Sequence, residues 1–106
     1  MRYVSLHEAL PHSGQEERVA RLTRHLAARL RDFGPGGPEV LSADQQTGRI
    51  EARFPGHDTG AVLDRLEKRW GVTAGLEGDR AVFLLSPHTR FEDLDYVWGC
   101  LFELLG

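Results

Sequence analysis

The sequence feature that most constrains the fold is a Gly/Pro tract at residues 34–38, where the spacing of apolar residues changes. Before the tract, apolar residues recur every three or four positions, which is the period of one helix face. Those residues are Val19, Leu22, Leu26, Leu30 and Phe33. After the tract, Ile50, Ala52 and Phe54 alternate with charged residues, as in a half-buried strand. Glycine suits a helix end and proline cannot continue a helix, so the chain must combine both kinds of element.

Two capping-box patterns predict where helices begin. Ser13 and Glu16 precede the first helical segment, and Thr89 and Glu92 precede the last. In such a box the hydroxyl accepts a hydrogen bond from the third helical amide, and the acid reaches back to the capping residue. A helix is therefore expected after each pattern.

The remaining segments complete an α+β order. Asp58 or Thr59 is expected to cap a middle helix that Gly71 ends, and residues 3–10 suggest a short amphipathic helical turn. In chain order the main predicted elements are a helix at 15–33, strands at 39–42 and 48–54, a helix at 58–70, strands at 72–74 and 80–86, and a helix at 90–105. This order predicts one two-layer α+β domain over residues 1–106, with an antiparallel or mixed sheet of about four strands covered by helices on one face.

Composition excludes several classes of function. Thirteen basic and sixteen acidic residues give a net charge of −3, which lacks the basic excess that nucleic-acid binding needs. The single cysteine, Cys100, excludes an internal disulfide, and the absence of a long apolar run excludes a membrane span, so we expect a cytoplasmic protein. Five histidines lie in separate segments without metal-ligand spacing, so no metal site is expected. They are His7, His12, His25, His57 and His88.

Several strings recur in the order of a known domain. Residues 14–30 form a long entering helix, and residues 49–58 form a strand followed by a Gly-x-Asp turn. Residues 66–74 end a helix, turn at glycine and enter a small-residue strand. Residues 82–88 are a strand with a Ser-Pro turn, leading into an acidic helix start at 92–95. Together these strings resemble the small C-terminal domain of fold-type I pyridoxal-phosphate enzymes, especially class V aminotransferases and cysteine desulfurases.

The resemblance implies a chain that does not catalyse alone. In that family a lysine of the large domain holds the cofactor as a Schiff base, and the 106 residues contain no counterpart of that domain. The only lysine, Lys68, lies in a predicted surface helix, and Leu84 occupies the position where the family usually has a carboxylate-clamping arginine. We therefore expect no catalytic residue and no cofactor, with pyridoxal phosphate bound only if a separate large domain supplies the lysine.

Three functions remain open. The first is a non-catalytic, stand-alone small-domain-like protein that acts by binding or self-association. The second is the small subunit of a split pyridoxal-phosphate-dependent transferase whose large domain is a separate chain, in which case Arg80, Ser86, His88 and Arg90 would line the substrate side. The third is a small-ligand sensor, which the sequence neither supports nor excludes.

The terminal helix carries more apolar residues than one face needs. Val97, Phe102 and Leu104 lie partly off the apolar stripe of that helix. The stripe itself consists of Phe91, Leu94, Trp98, Leu101 and Leu105. Surplus apolar surface on a small domain often forms an interface, so these three residues predict a homodimer. The alternative is that the helix is wedged between two layers of its own domain.

Overall fold

A computed structural model describes residues 2–106, which form five strands and three helices. The strands are β1 (Val4–Leu6), β2 (Glu39–Asp44), β3 (Arg49–Arg53), β4 (Val72–Glu77) and β5 (Arg80–Leu84). The helices are α1 (Glu16–Arg31), α2 (Thr59–Trp70) and α3 (Phe91–Leu105). The expected α+β class is confirmed. Within residues 2–106, no helix has the length and apolar character needed to cross a bilayer.

The strands form one mixed sheet in the order β1-β4-β5-β3-β2. β1 pairs with β4 in parallel, and all other neighbours are antiparallel. The expected pairing of the strands near 48–54 and 80–86 is confirmed, because Ile50 lies opposite Phe83 and Ala52 opposite Ala81. β5 therefore occupies the centre of the sheet.

The core lies between the sheet and the helices. Ile50, Ala52 and Phe83 are completely buried on the helical face of the sheet. α1 packs over β2 and β3, and α2 packs over β4 and β5. α3 contacts both of these helices and completes the layer. α1 buries most of its predicted apolar stripe, whereas the buried face of α3 is Leu94, Val97, Cys100 and Leu101, which differs from the predicted stripe.

β1 is the element that the sequence analysis assigned wrongly. Residues 4–6 form a strand, with Val4 and Leu6 buried and Ser5 exposed, and not the expected helical turn. The Val4 amide donates to the Gly71 carbonyl at 2.9 Å, next to the parallel pairing with β4. Three residues are too few to show a strand period, and a partner about 68 positions away leaves no local signal. This strand raises the count from the expected four to five.

The start of α1 also differs from its prediction. Gln15 is the N-cap, and no side chain caps this helix. The Gln15 amide donates to the His12 carbonyl at 2.8 Å, which closes a turn through Ser13 and Gly14. Ser13 therefore belongs to a turn, and its predicted capping box with Glu16 does not form.

α3 begins one residue later than predicted. Arg90, and not Thr89, is the N-cap, and the Asp93 carboxylate accepts a hydrogen bond from the Arg90 amide at 3.2 Å. The acid of the box is thus Asp93 in place of Glu92. The pattern located the helix start, but two acids in succession allowed a shift of one position.

The ends of α2 follow the prediction. Asp58 is the N-cap, and its Oδ2 accepts from the Ala61 amide at 2.9 Å. Gly71 ends the helix with a φ of 69°, a left-handed conformation in which glycine has no steric penalty. The turn carries the chain directly from α2 into β4.

Candidate functional site

Two of the four predicted substrate-side residues share a cleft. Ser86 and His88 follow the carboxyl end of β5 and line one wall of a cavity of about 230 Å³. Ser5 and Glu8, on and after β1, also line the cavity, as does Asp93 of α3. A strand missing from the sequence analysis thus contributes to the cleft.

The hydroxyls in this cleft hold a turn together. Ser86 Oγ accepts from the His88 amide at 3.2 Å, and Thr89 Oγ1 accepts from the Ser86 amide at 3.1 Å. The Thr89 amide closes the turn on the Ser86 carbonyl at 3.1 Å. A nucleophilic serine needs its hydroxyl hydrogen-bonded to a base, whereas Ser86 Oγ pairs with a backbone amide and with Thr89 Oγ1 at 3.5 Å. The arrangement stabilises a loop and does not activate a nucleophile.

Arg18 fixes this loop from α1. Its Nε donates to the Pro87 carbonyl at 2.8 Å and its Nη2 to the Thr89 carbonyl at 2.7 Å. The position of this arginine off the apolar stripe of the helix gives no sign of a partner about 70 residues away. The rigid guanidinium fork explains why an arginine can bind the carbonyls of Pro87 and Thr89 together.

Arg90 lies beside the cleft and is paired with Asp93, one of the residues that line it. Its Nε and Nη2 donate to the Asp93 carboxylate at 3.2 and 3.1 Å, and this pairing raises the pKa of Arg90. Arg2 donates to the same carboxylate at 2.7 Å. The guanidinium therefore stabilises the first turn of α3 and is not free to bind a substrate carboxylate.

Arg80 is not near the other three residues. It opens β5, whereas Ser86 follows the end of that strand, about 20 Å away at roughly 3.3 Å per residue. Its Nη1 donates to Glu51 Oε1 at 3.0 Å on the face of the sheet opposite the helices. The structure thus separates Arg80 from the predicted substrate side.

The residue beside Leu84 is Arg49, which the sequence analysis did not single out. Arg49 is its cross-strand partner on β3. Its Nη2 lies 2.8 Å from Glu77 Oε1 and its Nε 3.3 Å from Glu51 Oε2. Hydrogen bonds to Glu77 and then Glu51 raise the pKa of Arg49. This guanidinium is neutralised by two acids, so it does not replace the family's clamp.

The apolar surplus of α3 forms an aromatic seam against α1. We define the aromatic seam as Phe33, Trp98 and Phe102 with Arg29. The Phe102 ring centroid lies 5.5 Å from Phe33 and 5.3 Å from Trp98, and the Arg29 guanidinium lies 4.6 Å over Trp98. Phe102 remains 51% exposed. The seam is therefore a half-covered aromatic surface on the outer side of the helical layer.

The three predicted interface residues have different environments. Val97 is completely buried in the core, so it does not belong to a free surface as expected; it faces the sheet with Leu94 and Leu101. Leu104 is half-buried and lies near the start of α2. Phe102 alone among the three is exposed.

An ionic cluster continues the contact between α1 and α3. Asp95 Oδ1 lies 2.8 Å from His25 Nε2 and 3.1 Å from Arg29 Nε. The hydrogen bond from His25, followed by that from Arg29, lowers the pKa of Asp95. The His25 ring also meets Phe91 edge-on at 5.2 Å. Charged and aromatic contacts therefore alternate along the two helices.

The lysine and the cysteine, side chains often used in catalysis, lie in environments that do not activate them. Lys68 is 73% exposed and pairs with Asp64 at 2.9 Å one turn earlier in α2. Cys100 is buried, and this burial raises the pKa of its thiol, which disfavours the nucleophilic thiolate. Across residues 2–106, no three His, Cys, Asp or Glu side chains converge as metal ligands.

Comparison with known proteins gives a shared fold. No family model matches the sequence, and no curated protein matches it. Among solved structures, twelve chains match. One is a NifS-like protein. It superposes with a TM-score of 0.74 at 14% sequence identity, over 88% of this chain and 28% of its own. The chain thus shares a fold with a little over a quarter of that protein's length.

Proposed function

We propose that this chain is a non-catalytic, stand-alone protein with the fold of an aminotransferase small domain, and that it acts by self-association through the aromatic seam. The shared fold with part of a NifS-like protein supports the relation to that family. The element order and the turn at Ser86 agree with the sequence resemblance. The proposal then depends on what the side chains can do.

The residues of this chain do not fit pyridoxal phosphate. The cofactor aldehyde needs a lysine amine of lowered pKa, which requires burial or a neighbouring cation. Lys68, the only lysine, is solvated and lies beside a carboxylate. Arg49 and Arg90 are both held by acids, and Leu84 offers no charge. No catalytic step through the cofactor follows from this set of residues.

The exposure of Phe102 is the observation that carries self-association. A phenylalanine half in solvent, in tilted contact with Phe33 and with a Trp98 ring that Arg29 covers, has the composition of a protein interface. Aromatic rings and arginine supply most of the binding energy at such surfaces. Burying the ring between two copies also removes apolar area from water at roughly 25 cal/mol per Å².

The test is the oligomeric state of Phe102→Glu. Light scattering should find the unmodified protein dimeric and this variant a folded monomer, since the charge disrupts the interface without touching the core. Leu76→Glu is the matched control: Leu76 is equally exposed, at 51%, but lies on β4 away from the seam, so its variant should remain dimeric. A monomeric unmodified protein, a dimeric Phe102→Glu protein or an unfolded one would each show that the proposal is wrong.

The second candidate is the small subunit of a split pyridoxal-phosphate-dependent transferase. It is supported by the length of the NifS-like protein, most of which has no counterpart here. In this role Ser86 and His88 would face the substrate from the cleft, with Arg90 beside them and Arg80 remote.

The two candidates differ in their behaviour with the cofactor. The isolated chain should show no absorbance change with pyridoxal phosphate and no transaminase or desulfurase activity under either proposal. The split-enzyme proposal alone expects a complex with a separate cofactor-binding chain, with activity that requires both. Turnover by the isolated, contaminant-free chain would overturn both proposals.

A further inference from the structure

We infer that the partner of the aromatic seam is a second copy of this chain placed by one particular two-fold axis, which lays α1 of each copy on α3 of the other. This inference rests on the proposed self-association and specifies its geometry. It follows from the direction of the two helices, from their opposite charges and from small residues on their outer faces.

The two helices run parallel and in a fixed register. His25 contacts Phe91, Arg29 stacks on Trp98, and Phe33 contacts Phe102. The partners in these pairs differ by 66 to 69 positions in sequence. A residue of α1 is therefore level with the residue of α3 about 68 positions later.

The two helices carry opposite charges. α1 contains five arginines and two glutamates, whereas α3 contains four acidic residues and no basic one. Arg21, Arg24 and Arg31 are exposed on α1, together with the two glutamates of its first turn, and Glu92 and Glu103 are exposed on α3. The outer surface of the helical layer is thus divided into a mainly basic strip and an acidic strip, with the aromatic seam between them.

Only one two-fold axis brings unlike charges together. An axis parallel to the helices and along the seam places α1 against α3 of the partner. An axis along α3 would place acidic helix on acidic helix, and an axis perpendicular to the helices would place α1 on α1. Like charges in contact are costly at interfaces, so charge selects the first arrangement.

Rotation about this axis does not change the height of a residue along the helices. Arg24 and Glu92 differ by 68 positions, so Arg24 of one copy comes level with Glu92 of the partner subunit. Their side chains are 50% and 65% exposed, and each has a surface ion-pair partner in its own chain, Glu17 at 3.7 Å and Arg90 at 3.3 Å, which the pair between subunits would replace. Symmetry forms this pair twice in each dimer.

Small residues on both helices allow close approach. Gly99 lies in the middle of α3 with ordinary helical backbone, and a Cβ there would meet nothing within 4 Å. Ala28 is exposed on α1. Two helices, each about 24 Å long and 10 Å wide, together present roughly 500 Å² in projection. This is more than half of the roughly 800 Å² that each partner buries in a specific dimer.

The experiment reverses the charges in two separate chains. Arg24→Glu alone and Glu92→Arg alone should each weaken the dimer at least tenfold, because two attractive pairs become repulsive. An equimolar mixture of the two variants should restore dimers of near-original affinity, since both pairs are again of unlike charge. Analytical ultracentrifugation with one fluorescently labelled variant measures this directly. Arg65→Glu and Glu67→Arg, with the same charge changes on the exposed face of α2, should leave the affinity unchanged.

The outcomes separate this inference from the proposed function. A dimer that Phe102→Glu dissociates, but that the mixture does not restore, would confirm the seam and overturn the α1-on-α3 arrangement. A monomeric unmodified protein would overturn self-association itself. Should Arg24→Glu lose the fold, Arg24→Gln and Glu92→Gln replace it in a double-mutant cycle of dimer affinities, and strictly additive losses would overturn the arrangement.

Discussion

At the scale of single residues, Arg18 shows how one side chain joins distant parts of this chain. It donates two charge-assisted hydrogen bonds from α1 to the loop that precedes α3. Arg18→Ala should lower the free energy of unfolding by about 2 kcal/mol, and Arg18→Lys by about half as much, because an ammonium cannot form the fork. Urea unfolding measures both, with Arg65→Ala on exposed α2 as a control expected within about 0.5 kcal/mol of the parent. Full stability of Arg18→Lys would show that charge alone suffices.

Asp95 makes a second prediction at this scale, on pH. His25, and then Arg29, lower its pKa in the folded state below its value in the unfolded chain. The resulting stabilisation is complete above the unfolded pKa of about 3.9 and is lost as the pH falls through the folded pKa. Between about pH 5 and pH 3, the parent should therefore lose more unfolding free energy than Asp95→Asn. Parallel pH profiles for the two proteins would contradict this role.

At the scale of elements, α3 contains a glycine that lowers its helical stability. Glycine inside a helix is about 1 kcal/mol less favourable than alanine, and Gly99 has open space around it. Gly99→Ala should therefore raise the melting temperature of the monomer by roughly 4–8 °C. The measurement uses Phe102→Glu as background, so that association does not contribute, and Gly56→Ala as control. Gly56 also has open space, but its φ of 83° makes alanine unfavourable there.

The helices and strands also show how much of the fold could be predicted from the sequence. Elements with several periods of apolar spacing were predicted with nearly correct bounds, because periodicity reports burial directly. β1 escaped because it has three residues and a distant parallel partner. Ser86 and His88 lie together because they belong to one local turn, whereas Arg80 lies at the other end of β5 from them. Arg18 and Arg49 were missed because their partners lie on other elements.

At the scale of the whole molecule, the two faces have different chemistry. The face of the sheet opposite the helices carries arginines and glutamates that neutralise one another, such as Arg49 with Glu77 and Arg53 with Glu39. The helical layer also has internal pairs, such as Arg29 with Asp95, but its charges are sorted by element, with basic α1 beside acidic α3. Charges sorted between two neighbouring helices around an exposed aromatic ring give a surface that a second copy can complement. This sorting supports the proposed association through the helical side.

Separated charges also make association sensitive to salt, which is the last prediction. Raising NaCl from 0.1 M to 1 M shortens the screening length from about 10 Å to about 3 Å, which weakens exposed ion pairs between subunits. The dissociation constant of the dimer should therefore rise several-fold over this range. Phe102→Leu should weaken the dimer at both salt concentrations but leave the ratio unchanged, because it removes ring contacts and no charge. Sedimentation at a series of concentrations gives both constants. A dissociation constant that stays constant or falls with salt would show that apolar contacts alone hold the dimer, and that the pairing of α1 with α3 of the partner is wrong.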